Sequence, residues 1–209
     1  MRILAIETAG EACSVALFDN RELLAHEHRV LGRGHAEALV PIIASLPERG
    51  RAQRICVSRG PGSFTGVRIG IAAARALGVA WNAHVLGYPT LALIAAMARA
   101  QHGAAPVTVA INGGHGEWFV QNFAADGLDE GVALSLTPEA AATRDPHHVI
   151  AGNRATQLGG MCGGDRLIVE AQPDARQIMA LDATLFAPAF APIYGRAPDA
   201  TPQSGKVRP

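Results

Sequence analysis

Through Arg29 the apolar positions come in short runs, and after it they fall at helical spacing. Arg2 to Glu7, Cys13 to Asp19 and Leu23 to Arg29 are three such runs, joined by Thr8-Ala9-Gly10-Glu11-Ala12 and by Asp19-Asn20. Runs joined so tightly predict an antiparallel meander. Gly32-Arg33-Gly34 then opens a helix from about His35 to Leu46, with Leu39, Ile42, Ile43 and Leu46 at i, i+3, i+4 and i+7. Pro41 inside it removes one backbone hydrogen bond and should kink it. A strand over Arg54–Arg59 feeds Gly60-Pro61-Gly62-Ser63-Phe64-Thr65-Gly66-Val67-Arg68-Ile69-Gly70. The glycines and proline turn the chain, and Ser63 stands where a helix N-cap belongs. The helix that follows should reach Trp81, roughly 27 Å at ~1.5 Å per residue. Its only charges, Arg68 and Arg75, share one side, and Gly66, Gly70, Ala73 and Leu77 lie around the opposite side. Small residues four apart let another helix approach closely, at ~1 kcal/mol of propensity for each interior glycine.

A strand at Val85–Tyr88 and a helix from Thr90 to about Arg99 complete the first half. After Ala104-Ala105-Pro106 the order begins again. Strands are expected at Val107–Asn112, Glu117–Phe123 and Val132–Leu136, and a helix at Thr137-Pro138, with Thr as N-cap and Pro at N1. A strand at His148–Ala151, a weak helix near Asn153, a strand at Leu167–Val169 and a helix over Asp174–Leu181 follow. Both halves read β-β-β-α-β-α, which predicts a duplicated α/β fold of two lobes with mixed central sheets, 1–103 and 104–195. Leu185, Phe186, Phe190, Pro192, Ile193 and Tyr194 form an apolar, aromatic stretch able to dock on a surface. Pro, Gly and Ser dominate from Arg196 to Pro209, so 196–209 is expected to be a flexible tail.

Composition narrows the partners. Among 209 residues the formal net charge is zero, so no basic surface announces nucleic acid as the main direct partner. Charged residues make up 17% against ~25% in an ordinary domain, an apolar excess that favours a protein hiding part of itself against another. Three scattered cysteines without a CxxC pair suggest reduced thiols, and hence a cytoplasmic protein. The N-terminus enters a strand directly and lacks a cleavable signal. A membrane span is a poor reading of the long helix, since each mid-span Arg would cost about 2.5–3.5 kcal/mol.

Catalytic chemistry is hard to place. The glycine loop before Phe64 could hold an anion, yet it lacks the Gly-Lys-Ser/Thr of a phosphate loop and the third glycine of a dinucleotide fingerprint. A helix start built for close packing is the simpler account. His35 and Glu37 open the first helix, but a helical metal site wants a second imidazole at i+4, where this chain has Leu39. Glu7 and Thr8 end the first strand where a metal–nucleotide would want an acid, and Asn112-Gly113 is the matching turn of the second half. Asn112 is neutral, so one carboxylate of a metal pair is missing. No metal and no cofactor is expected. The alternative is a metal- or ATP-dependent enzyme, a metallopeptidase or a phosphotransferase, whose ligands would have to come from elsewhere.

The run from Gly60 to Gly70 resembles the signature of the bacterial TsaB (YeaZ) family. Ile3-Leu4-Ala5-Ile6-Glu7-Thr8 with Ala12-Cys13-Ser14-Val15-Ala16-Leu17 is similar to that family's opening, and His35-Ala36-Glu37-Ala38-Leu39-Val40-Pro41 to its first helix. Pro192-Ile193-Tyr194-Gly195-Arg196 is similar to its C-terminal Pro-x-Tyr-Leu-Arg. The resemblance implies an actin/Hsp70-like (ASKHA) fold and a non-catalytic role beside the transferase TsaD in making threonylcarbamoyladenosine next to the tRNA anticodon. It implies TsaD as direct partner, the ATPase TsaE through the complex, a homodimer on the same surface, and contact with tRNA only indirectly. The partner-binding residues it points to are His35, Leu39, Ile42, Ile43, Leu46, Gly66, Arg68, Ile69, Gly70, Ala73 and Leu77, on two helices that bundle with the partner's equivalents. Glu7, Thr8, Asn112 and Gly113 would be a vestigial nucleotide cleft. This chain departs from the family pattern in having Glu7 for Asp, Asn112-Gly113-Gly114 for Asp-Ala-Arg, and Gly195 for Leu.

Overall fold

Strand β1 (Arg2–Glu7) divides its side chains between two cores, because successive residues of a strand point to opposite faces. Ile3 and Ala5 join one apolar cluster, and Leu4 and Ile6 another. In the computed structural model, which describes residues 1–188 and 191–195, that division extends into a stack of five layers. Antiparallel β2 (Ala12–Asp19) and β3 (Glu22–Val30) follow β1, then α1 (His35–Ser45), β4 (Arg54–Ser58), α2 (Phe64–Trp81), β5 (His84–Tyr88) and α3 (Thr90–His102). Helices α1 and α2 cover one face of this sheet, with Leu39, Ile42, Val67 and Ile71 against Leu4, Ile6, Val15 and Val57. Helix α3 covers the other face.

The second half repeats the plan with β6 (Val107–Gly114), β7 (Glu117–Phe123), β8 (Leu134–Leu136), α4 (Pro138–Ala142), β9 (Val149–Ala151), α5 (Ala155–Cys162) and β10 (Leu167–Val169). Its sheet runs β10-β9-β6-β7-β8, which matches β5-β4-β1-β2-β3 strand for strand. In both, the first two strands are antiparallel and the first, fourth and fifth are parallel. This duplicated pair of mixed sheets is the actin/Hsp70-like fold.

Helix α3 is shared. Leu91, Leu93, Ile94 and Ala98 on it are buried in one cluster with Ile3, Ala5 and Tyr88 of the first sheet and Val107, Val109 and Phe123 of the second. Its alanines, Ala92, Ala95, Ala96 and Ala98, keep it slim enough to lie between two sheets, and it is apolar nearly all round as a doubly covered helix must be. Helices α4 and α5 close the far side on Ala110, Trp118, Val120 and Ile150.

Several boundaries differ from the sequence reading. Helix α1 ends at Ser45 and runs unbroken through Pro41, whose ring lies on the exposed side. The helix expected over Asp174–Leu181 is a 3-10 segment, Ala175–Ala180, capped by the Asp174 side chain. A larger difference concerns the lobes: the lobe expected to run from 104 to 195 does not keep its last residues. Strand β11 (Ala187–Pro188) pairs antiparallel with β5 and becomes the edge of the first sheet, and the Ile193 N–H donates to the Arg59 carbonyl at 2.7 Å. The expectations for Phe190, Arg196 and the 196–209 tail lie outside the described residues.

The glycines of α2 set how closely it lies on the sheet. A Cβ on Gly66 would strike the Thr8 carbonyl oxygen, one on Gly70 the Thr8 hydroxyl, and one on Gly78 the Val85 side chain. Gly70→Ala should therefore lift α2 off β1 and destabilise the protein by about 1–3 kcal/mol. Ala72→Ser on the exposed side of the same helix should stay within about 0.5 kcal/mol. Urea denaturation of the two variants beside the parent checks both.

Candidate functional site

The two helices expected to meet a partner are present, but much of what was assigned to the contact points the other way. Leu39, Ile42, Ile43 and Leu46 are 1–5% exposed and sealed against the sheet. Gly66 and Gly70 are buried on Thr8, and the Thr8 hydroxyl donates to the Gly66 carbonyl at 2.8 Å. His35 is 6% exposed, and its Nε2 is buried without a hydrogen-bond partner among the described residues. These seven residues are buried within the chain itself. The correction has a simple physical cause: spacing at i, i+3, i+4 and i+7 marks the apolar face of a helix without saying which neighbour covers it, and small residues serve a nearby sheet as well as a nearby helix.

What remains outside is the opposite face of the same pair. Ala36, Val40 and Ala44 are exposed at i, i+4 and i+8 on α1. On α2, Arg68, Ala72, Arg75 and Val79 are exposed at i, i+4, i+7 and i+11, with Ala76 beside them and Ile69, Ala73 and Leu77 half-buried on the flank. Val40 is 57% and Val79 87% exposed. Both helices lie on one sheet face and touch each other, so these residues form one surface of mainly small apolar side chains.

At the N-terminal end of α2 this surface meets the end of the described chain. Ser63 caps the helix, its Oγ accepting from the Gly66 N–H at 3.2 Å. The Arg68 guanidinium lies 3.4 Å above the centroid of the Phe64 ring and 5.9 Å from that of Tyr194, and its Nη2 donates to the Tyr194 hydroxyl at 3.0 Å. Gly195 fits between Phe119 and Pro61, where a Cβ would overlap the Phe119 ring. The leucine of the family pattern has no room there.

Glu7 and Thr8 are wholly buried, Asn112 is exposed and Gly113 half-buried. The structure therefore does not offer the four as one open cleft. Glu7 Oε1 accepts from the Ala9 N–H at 2.7 Å, and Oε2 is buried without a partner among the described residues. Around the acid, Ser58 Oγ and Thr90 Oγ1 share a hydrogen bond of 2.5 Å, Ser58 Oγ accepts from the Gly60 N–H, and the Tyr88 hydroxyl donates to the Ile6 carbonyl. Burial pushes the Glu7 carboxyl up to about 7, against the weaker opposing pull of the Ala9 N–H and the Ser58 and Tyr88 hydroxyls. Cys13 and Cys56 are likewise raised by burial, to about 11 and about 12, and so stay protonated as small core residues.

Sequence reasoning missed a second polar cluster. Ser14 Oγ donates to Asp174 Oδ1 at 3.3 Å and accepts from the Ala175 N–H at 3.0 Å, while Arg176 clamps Asp174 Oδ2 through Nε at 2.7 Å and Nη2 at 2.5 Å. His28 Nδ1 lies 3.7 Å from the same carboxylate. Burial alone would raise Asp174, but the Arg176 hydrogen bonds and charge, with His28, hold it below the usual carboxylate range. The cluster ties β2 and β3 to the 3-10 segment after the second sheet. An acid two residues before an arginine was its only mark in the sequence. Among the described residues no three His, Cys, Asp or Glu side chains gather as metal ligands, and no helix is long and apolar enough to cross a membrane.

The Glu7 shift has a direct consequence. Its carboxyl titrates near 4.5 when unfolded and about 7 when folded, so the folded state holds the extra proton between those values. Stability should accordingly fall as pH rises from 4.5 to about 7 and level off above that. Glu7→Gln removes that dependence and should exceed the parent in stability above pH 7 by up to about 3 kcal/mol, the gap closing towards pH 5. Urea midpoints at pH 5 and pH 8 measure it.

Comparison with known proteins agrees with this architecture. A family model described as TsaD, tRNA N6-adenosine threonylcarbamoyltransferase, matches residues 28–134. The tRNA threonylcarbamoyladenosine biosynthesis protein TsaB of Escherichia coli (strain K12) is 38% identical over 131 residues, covering 60% of this chain and 56% of that protein. The protein of the same name from Haemophilus influenzae is 32% identical over 117 residues, covering 54% and 49%. The chain thus aligns with about half the length of the curated relatives it matches. A crystal structure from Pseudomonas aeruginosa, of an uncharacterized protein with similarity to peptidase YeaZ, superposes with a TM-score of 0.78 at 28% identity, over 93% of this chain and 99% of that one. YeaZ from Pseudomonas aeruginosa gives 0.74 at 26%, over 92% and 99%. With relatives that carry the TsaB name and YeaZ structures that share its fold over nine-tenths of its length, this chain belongs to the TsaB (YeaZ) family.

Proposed function

We propose that this chain is a non-catalytic docking subunit in the biosynthesis of threonylcarbamoyladenosine in tRNA, and that it binds a TsaD-type catalytic subunit through the outer face of α1 and α2. The observation that carries the reading is that outer face. Ala36, Val40 and Ala44 beside Ala72, Ala76 and Val79 leave two helix backbones open to close approach by a second helix pair, while the larger apolar residues are spent on the chain's own sheet. Leu39, sealed in the core one turn after His35, supports the non-catalytic part, because no metal ligand can be offered there. A TsaE-type ATPase would join through the assembled pair, and tRNA would be held mainly by the partner, in keeping with a net charge of zero. In the absence of a partner, a second copy would cover the same face.

Gly70→Leu is an unsuitable test, since it would break the seat of α2 on Thr8. Val40→Arg and Ala76→Arg instead alter exposed positions only. Titrated against the TsaD-type subunit of the same organism in a calorimeter, the parent should bind one to one and the double variant about 100-fold more weakly, with thermal melting unchanged. Any self-association of the parent should be lost in the same variant. No binding by the parent, or stoichiometric metal with ATP turnover by this chain alone, would overturn the reading.

A further inference from the structure

The Phe64–Arg68–Tyr194 cluster does more than fasten the end of the described chain. All three side chains are exposed, Phe64 at 57% and Tyr194 at 54%. Arg68 sits on the stripe that continues as Ala72, Arg75 and Val79, one turn before the small apolar residues begin. Its guanidinium is stacked on one ring and hydrogen-bonded to the hydroxyl of the other, so the plane of the fork is fixed. Only Nη2 is engaged by the Tyr194 hydroxyl, and among the described residues Arg68 makes no ion pair with any carboxylate.

We infer that Arg68, held by Phe64 and Tyr194, is a preformed receptor for a carboxylate on the docking partner, an Asp or Glu at the rim of the helix face. This rests on the reading of the α1–α2 face as a docking surface and adds the chemistry its partner must bring. A guanidinium presents parallel N–H groups that match the two oxygens of a carboxylate, and stacking on an aromatic face leaves that edge pointing outward. Holding the fork before the partner arrives removes the cost of ordering a long side chain during association. The two rings stand beside each other, centroids 6.0 Å apart, and hold the guanidinium at the exposed rim of the helix face. Tyr194 is the positioning residue, supplied by the segment that crosses over from the second half of the chain.

The test uses the full chain and the TsaD-type subunit, measured by calorimetry at 50, 150 and 500 mM NaCl. Arg68→Gln should weaken binding about tenfold or more at 50 mM and flatten the salt dependence, because an ion pair has been lost. Arg68→Lys should recover the salt dependence and only part of the affinity, as a point charge cannot form the paired contact. Tyr194→Phe should lose about threefold and Tyr194→Ala about tenfold, with melting temperature and far-UV spectrum unchanged. If the parent binds and Arg68→Gln binds equally well with the same salt dependence, the inference fails while the docking reading stands. If the parent does not bind, the reading fails and takes this inference with it. A loss of affinity in Arg68→Gln without any change in salt dependence would also count against it, since packing rather than charge would then be at work.

Discussion

The seat of α2 on β1 is the contact from which the rest of the arrangement follows. Gly66 and Gly70 bring the helix backbone against Thr8, and the Thr8 hydroxyl closes the contact by donating to the Gly66 carbonyl. A helix held that close needs nothing large on its inner side, so Val67, Ile71 and Ala74 suffice to fill the space beneath it. With α2 in place, α1 has a flank to lean on, and the two together seal one face of the first sheet. The glycines thus decide which side of α2 is spent on the fold and which side is left outside.

The division of labour between the two faces explains what could be read from the sequence. The main elements in chain order and the duplication were legible because each rests on local patterns: apolar runs, Ser63 at an N-cap, Thr137-Pro138 at a helix start. The buried residues of α1 were legible as an apolar stripe. Their neighbour was not, since Leu39 and Ile43 have the same spacing whether they meet a sheet of the same chain or a helix of another. For Gly66 and Gly70, a stripe of small residues indicates close approach without naming what approaches. The family resemblance pointed to α1 and α2, and the structure shows that the apolar stripe of α1 and the glycines of α2 face the chain's own sheet.

Other parts were out of reach for a different reason. Asp174 and Ser14 are far apart in the chain and become partners only when the 3-10 segment folds back over β2. Tyr194 meets Arg68 across a similar distance, and Gly195 acquires its meaning only from the Phe119 ring beside it. Glu7 was noticed as an acid at a strand end, a fitting place for a cation, but its depth was invisible. Once it is enclosed among Ser58, Tyr88 and Thr90, burial is the largest influence on the carboxyl and raises it.

Strand β11 has an implication for how the molecule comes into being. The free edge of β5 gains its neighbour from Ala187–Pro188, and the loop before α2 gains the Ile193 hydrogen bond later still. During synthesis the first lobe can therefore assemble most of its sheet early, yet its β5 margin stays open until residues 187–193 have followed. A chain cut before Ala187 would carry α1 and α2 beside an unpaired β5 edge, so the last pairing of the first sheet waits on residues that come after the whole of the second.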